Sequence, residues 1–184
     1  MNGNEEIIID STMSFSEAIE GTTAPEEIVD NLALVDVLYY SFDGKKHQGQ
    51  LVVKSELEDD IYEIFALIEQ LKFSVGKAIP VVAYTWDDHK SMAANNSSSF
   101  NFRVIEGTTK LSMHSLGKAV DINPVQNPVI YPNGVIAPQG TKYLPQNKGT
   151  FTTDNAIVQE FLKRGWHWGG NFEQPKDYHH FEKP

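Results

Sequence analysis

The chain has 184 residues, with 25 Asp and Glu against 15 Lys and Arg, a formal net charge of −10 and no cysteine. That balance excludes the basic stripe of a nucleic-acid binder and the polybasic patch of a membrane-surface protein, and the absence of thiols excludes disulfide frameworks, thiolate zinc sites and cysteine nucleophiles. With 40% hydrophobic and 22% charged residues, the composition and length are those of one folded domain with a full core.

The charge is unevenly placed. Residues 1–44 hold ten carboxylates and no Lys or Arg, and after the first base, Lys45, 15 acids and 15 bases cancel. Residues 1–44 therefore read as an acidic N-terminal extension, mostly on the surface at its start, whose end packs on a domain formed by 45–184. Within the extension, Ile7, Ile8 and Ile9 are apolar, and Pro25 followed by Glu26 and Glu27 suits the first turn of a short helix. Residues 32–40, rich in Leu, Val and Tyr, predict a buried strand, with Phe42-Asp43-Gly44 as a turn and residues 50–53 as a returning strand. The clearest predicted helix runs over 55–73, with Ser55 and Glu58 as a capping box and Ile61, Phe65, Ile68 and Leu71 at helical spacing.

Residues 79–84 form a β-branched run that predicts another strand, and the polar residues 95–99 predict a loop. Residues 127–149, with four prolines and three glycines, read as a long loop with turns, a type that is often functional in a small domain. Thr152 or Thr153 is the predicted cap of a last helix that stops at Gly165. No stretch approaches the ~20 apolar residues of a membrane span, and no charged-then-apolar start reads as a secretory signal. The predicted fold class is α+β: a single structural domain in which helices pack against a small antiparallel sheet.

Four of the six histidines fall in the C-terminal part, and three of them, His114, His179 and His180, lie in two groups that also carry an Asp. In the first, a strand from Ala119 places Val120 and Ile122 on one face and Asp121 on the other, between apolar neighbours where an unpaired carboxylate is costly. A turn at Gly117-Lys118 would set His114 opposite Asp121. In the second, a strand over 178–182 sends Tyr178, His180 and Glu182 to one face and His179 and Phe181 to the other. Phe181 is the better core residue, which nominates His180 for the site, and Asp177 then comes from the turn after Pro175. Histidine and carboxylate are ordinary zinc ligands, and catalytic zinc keeps three protein ligands plus water, a set that His114, Asp121 and His180 would supply.

The run Ser-x-His-x-x-Gly-x-Ala-x-Asp over 112–121, followed by Gly165-Trp166-His167-Trp168-Gly169-Gly170 and Asp177-x-x-His180-Phe181, resembles the M15 zinc peptidases. These include D-alanyl-D-alanine carboxypeptidases, D,D-dipeptidases and L-alanyl-D-glutamate endolysins that act on bacterial peptidoglycan peptides. The resemblance spans residues 84–182, because residues 95–103 are similar to the block before the first zinc histidine. It implies Zn2+ held by His114, Asp121 and His180, with Asp177 as catalytic base and Arg103 stabilising the transition state. It also implies that Ser112 helps hold the substrate's terminal carboxylate; Trp166, Trp168, Gly169 and Gly170 read as wall and backbone turn, with Trp168 as a substrate-binding candidate. The implied partner is a peptidoglycan stem peptide, and the implied location is extracytoplasmic, in the periplasm or cell envelope. The fold it implies is M15-like, with the zinc site on the sheet.

Other polar groups have simpler readings. His167 is either packed or behind a ligand, and Asp87-Asp88-His89 reads as a solvated loop. Ser115-Leu116-Gly117-Lys118 spells the S-x-x-K of serine D,D-peptidases, but Gly117 disfavours the required helical turn by ~1 kcal/mol and the companion S-D-N and K-T-G motifs are missing. The expected activity is thus a D-alanyl-D-alanine carboxypeptidase or dipeptidase. An endopeptidase of the same family, or a zinc-containing module that binds peptidoglycan without cutting it, is the alternative.

Overall fold

The computed structural model describes residues 6–184. Two long strands, β2 (Leu32–Tyr40) and β3 (Lys46–Lys54), pair antiparallel along their whole length, from Leu32 opposite Lys54 to Tyr40 opposite Lys46. The turn between them closes through a hydrogen bond from Ser41 N–H to Lys45 O, with the Asp43 side chain accepting from Lys45 N–H. β1 (Ile7–Ile9) adds to the far side of β3 in parallel. Alternation along β2 sends Val35, Val37 and Tyr39 inward. Against them lies α3 (Glu58–Gln70), whose Ile61, Ile64, Phe65 and Ile68 recur at helical spacing and are all buried.

The other face of this sheet is covered by the N-terminal segment. α1 (Phe15–Ala18) starts with a capping box in which Ser14 and Glu17 satisfy each other's backbone N–H groups, and α2 (Glu26–Val29) follows Pro25. Ala18, Leu32, Val52 and Phe100 form a small cluster there, flanked by Phe15, Ile28 and Trp86. Asp10 ties the start of the chain down: it accepts from the Tyr39 hydroxyl and lies 3.0 Å from His47 Nδ1. Residues 32–40 do form a strand with a buried face, at the edge of the sheet beside β3.

The C-terminal half is built from short pieces: β4 (Lys77–Ala78), α4 (Asp88–Ala93), β5 (Asn96–Ser97), β6 (Ala119–Asp121), β7 (Val129–Ile130), β8 (Ile136–Ala137), α5 (Ala156–Lys163), β9 (His167–Trp168), β10 (Lys176–Asp177) and β11 (His180–Glu182). Among the described residues the strands make four small sheets: β1-β3-β2, β4-β5, β10-β7-β8 and β6-β11-β9. The single antiparallel sheet expected from the sequence is thus corrected to four, of which two contain a parallel pair. The α+β mixture of helix and strand is as expected. One core joins the halves: Val120, Ile122 and Phe181 from the small sheet pack with α3, with Ile157, Val158 and Phe161 of α5, and with Trp166 and Trp168. Phe181 stacks on Phe161 with ring centroids 3.9 Å apart.

Four predicted local features differ. Residues 79–84 are not a strand; Val81–Tyr84 is a 3-10 turn. Pro80 has no N–H to give a ladder, so the β-branched run loses its pairing where it starts. Ser55 does not cap the helix, because its hydroxyl donates to Asn31 O and a 3-10 turn over Ser55–Leu57 comes first. The cap of α5 is Asn155, accepting from Ile157 N–H at 2.9 Å, and neither Thr152 nor Thr153. The 127–149 segment is not all loop, since it carries the β7–β8 hairpin.

Asp60 of α3 holds the C-terminus in place. It accepts from Trp166 Nε1 at 2.8 Å, Lys183 Nζ at 2.9 Å and Arg164 Nη1 at 3.2 Å. Burial raises its carboxyl, but the bonds from Lys183, Trp166 and Arg164 outweigh that and hold it below the usual carboxylate range. A lowered folded-state pKa means that the unfolded chain takes up the proton first, so this stability is present above the unfolded carboxylate pKa and lost as the pH falls through the folded one. Asp60→Asn is therefore expected to cost about 1–3 kcal/mol at neutral pH. In urea unfolding at a series of pH values, the gap between variant and parent should close in acid.

Candidate active site

The site begins at a 3-10 turn, Met113–Leu116. Ser112 caps it, its hydroxyl accepting from His114 N–H at 3.3 Å. Gly117 ends it at φ +64, where a Cβ would lie 2.6 Å from Lys54 N, so a glycine is needed on both counts. The expected hairpin at 117–118 is corrected: His114 sits on the turn, and the residue opposite Asp121 in the ladder is His180. On its other side Asp121 is bridged to Ser98 by two backbone hydrogen bonds of 2.8 and 3.0 Å.

These elements bring His114, Asp121 and His180 together, with one donor atom from each inside a group no more than 4.8 Å across. His114 Nε2 is 3.2 Å from Asp121 Oδ2 and 3.2 Å from His180 Nδ1, and His180 Nδ1 is 2.9 Å from Asp121 Oδ1. The outer nitrogens are committed elsewhere. His114 Nδ1 lies 2.6 Å from the Ser99 carbonyl and so must carry its proton there. His180 Nε2 likewise faces Glu182 Oε2 at 3.1 Å. In the neutral rings, two lone pairs and a carboxylate thus converge on one point with no proton of their own to share. A cation fits such a donor set, and partners that orient the ligating imidazoles from behind are what zinc sites use.

The electrostatics of the metal-free protein agree. Burial alone would raise the Asp121 carboxyl, but His114 and His179 hold it well below the usual range. Burial pulls the His180 imidazole down, yet its bonds to Asp121 and Glu182 overcome this and push it up to about 10. A proton on His180 occupies the position that a metal ion would compete for.

Asp177 stands beside this cluster and not in it. It lies on β10, paired with Val129 of β7, and its Oδ1 is 3.1 Å from His179 Nε2, within ion-pair reach but without hydrogen-bond alignment. Gly169 makes room for it: a Cβ there would sit 2.3 Å from Asp177 O and 2.9 Å from its Cβ. Gly169→Ala is accordingly expected to shift Asp177, costing about 1–3 kcal/mol in thermal unfolding and lowering turnover more than metal content.

Four expectations are corrected here. His179 does not turn away with Phe181, because the strand starts only at His180; its buried ring has Nδ1 2.7 Å from Asn127 O and Nε2 toward Asp177. Trp168 is no substrate wall, being 2% exposed, with its indole N–H donated to Tyr178 O and its ring against Phe181 in the core. Asp87-Asp88-His89 is no solvated loop; Asp87 caps α4, and Asp88 reaches Arg103 Nη2 at 2.9 Å. His167 is neither packed nor behind a ligand but exposed on β9.

A cavity of about 700 Å³ opens over the cluster. His114, Asp121, His180, Asp177, Ser112 and Arg103 all line it. Its walls include Tyr131 and Ala137 from the β7–β8 hairpin and Val104 and Ile105 from the segment after Arg103. The sequence reading missed Ser99, whose contribution is a backbone carbonyl, and Asn127. Glu182 was placed on the His180 strand face, but its contact with His180 Nε2 was not foreseen.

The decoy serine is out of play: Ser115 is fully buried and donates to Arg103 O, while Lys118 Nζ reaches Pro184 O.

Residues 106–183, under half of the chain, match a family model of the M15 peptidases described as D-alanyl-D-alanine carboxypeptidase. Ser112, His114, Asp121, Asp177 and His180 fall inside the matched segment, and Arg103 lies just before it. No curated protein and no solved structure matches the chain. The resemblance seen in the sequence is thus supported over residues 106–183, which are similar to the M15 peptidases, while residues 84–105 lie outside the match.

Proposed function

We propose that the chain is a zinc-dependent peptidase of peptidoglycan stem peptides, acting as a D-alanyl-D-alanine carboxypeptidase or dipeptidase in the cell envelope. The observation that carries this reading is the convergence of three electron-pair donors, from His114, Asp121 and His180, in a cavity that also holds Asp177 and Arg103. Zinc bound by these three residues would lower the pKa of water toward ~7 and polarise a peptide carbonyl. Asp177 takes the proton of the attacking water and returns it to the departing amine. Arg103 stabilises the negative charge that grows on the carbonyl oxygen, a type of contribution that mutagenesis puts at ~3 kcal/mol. Ser112 keeps its hydroxyl proton free for the substrate, since its oxygen accepts from His114 N–H.

One observation favours a second reading. Arg103 is the only Lys or Arg among the described residues lining the cavity, and Asp88 already pairs with it. A free terminal carboxylate therefore meets no uncompensated lysine or arginine there, which suits an endopeptidase such as an L-alanyl-D-glutamate hydrolase. A pure binding module is disfavoured because it needs neither a base nor an oxyanion stabiliser. Digestion of defined muropeptides, read by mass spectrometry, distinguishes these. Release of one D-alanine marks a carboxypeptidase, cleavage within the stem marks an endopeptidase, and intact substrates would refute peptidase activity.

A further inference from the structure

Resting on the role proposed above for Arg103, we infer that Asp88 is a positioning residue that holds the Arg103 guanidinium in the active-site cavity. Arg103 is clamped at both ends. Its backbone N–H donates to Ser115 Oγ at 2.9 Å, and its carbonyl accepts from Ser115 Oγ at 2.6 Å and from Ser112 N–H at 3.1 Å. At the far end Nη2 meets Asp88 Oδ2 at 2.9 Å, while Asn101 Nδ2 approaches Asp88 Oδ1 at 3.4 Å. Asp88 is itself fixed at the first position of α4, behind the Asp87 cap.

Between these anchors, Arg103 Nε is enclosed and has no hydrogen-bond partner. An arginine has too many rotatable bonds to hold one pose by its backbone alone, and a misplacement of about 1 Å can cost roughly 100-fold in rate. Asp88 and Arg103 are 15 positions apart and come from different local structures, which is why sequence pattern alone does not pair them.

The test uses the full chain with Asp88→Asn and Asp88→Glu. The protein has two arginines, Arg103 and Arg164, so 15N spectra of the arginine Nε–H groups contain two signals, and Arg103→Lys assigns them. In Asp88→Asn the Arg103 signal should shift and exchange faster with water while the Arg164 signal stays put. Turnover of a muropeptide that the parent cleaves should then fall roughly 10- to 100-fold in kcat, with KM and zinc content held, and Asp88→Glu should recover part of it. An unchanged Arg103 signal, or a displaced one with unchanged kcat, would overturn the assignment. If the parent itself cleaves nothing, the peptidase reading fails, and the spectra alone decide whether Asp88 holds Arg103.

Discussion

His114→Ala is expected to abolish zinc binding and, with it, hydrolysis. His114 supplies Nε2 to the converging group while its Nδ1 is spent on Ser99 O, so no other atom of the residue can stand in. Losing a partner behind a ligand already costs ~10- to 100-fold in metal affinity, and losing the ligand itself should cost more. The fold should survive, because Asp121 keeps its 2.9 Å contact with His180 and its backbone bridge to Ser98. Atomic absorption on the purified variant should find little zinc beside a parent that holds one ion per chain. Full occupancy in the variant would remove His114 from the site.

Asp177→Ala should separate metal binding from catalysis. Asp177 is outside the converging group, so zinc content should match the parent. Its carboxylate lines the same cavity and is held in place by β7 and by the absence of a side chain at Gly169. Removal of a general base typically costs ~100- to 10,000-fold, and kcat should fall by that order with little change in unfolding temperature. Unchanged turnover would take Asp177 out of the mechanism. Glu182 also lines the cavity, but it is committed to His180 Nε2 and cannot readily replace Asp177.

How far the residues reveal this arrangement depends on how local each cause is. Strand parity correctly assigned Phe181 to the core and His180 to the opposite face, because β11 is regular from His180 onward. The same parity failed for His179, one residue before the strand, where the backbone comes out of the turn after β10 and is no longer pleated. The buried side of residues 32–40 was legible because Val35, Val37 and Tyr39 alternate. Residues 79–84 were misread because β-branched propensity favours a strand while Pro80 cannot pair. Ser55 had the right spacing for a cap, but the Asn31 carbonyl captured its hydroxyl, a contact across 24 positions that no local pattern contains.

The candidate site shows the same division. The order of the motifs was enough to nominate His114, Asp121 and His180, which the fold brings together, and Asp177, which lines the same cavity. Asp88 looked like an exposed acid because its partner Arg103 is far along the chain. Trp168 looked like a wall because it belongs to a motif that lies between the two histidine groups, whereas its packing is against Phe181 and Tyr178. Among the described residues, the acidic segment from 6 to 44 contributes none of those lining the cavity over the cluster. Its charge therefore carries no information about the substrate.

The claim that this is a zinc hydrolase of peptidoglycan peptides is tested most directly by metal-dependent turnover. Purified protein should be incubated with defined muropeptides before treatment, after EDTA, and after EDTA removal followed by one equivalent of zinc. Products should appear, vanish and return in that order, while a β-lactam leaves the rate unchanged. Cleavage that persists through EDTA, or that a β-lactam blocks, would contradict a site built on His114, Asp121 and His180.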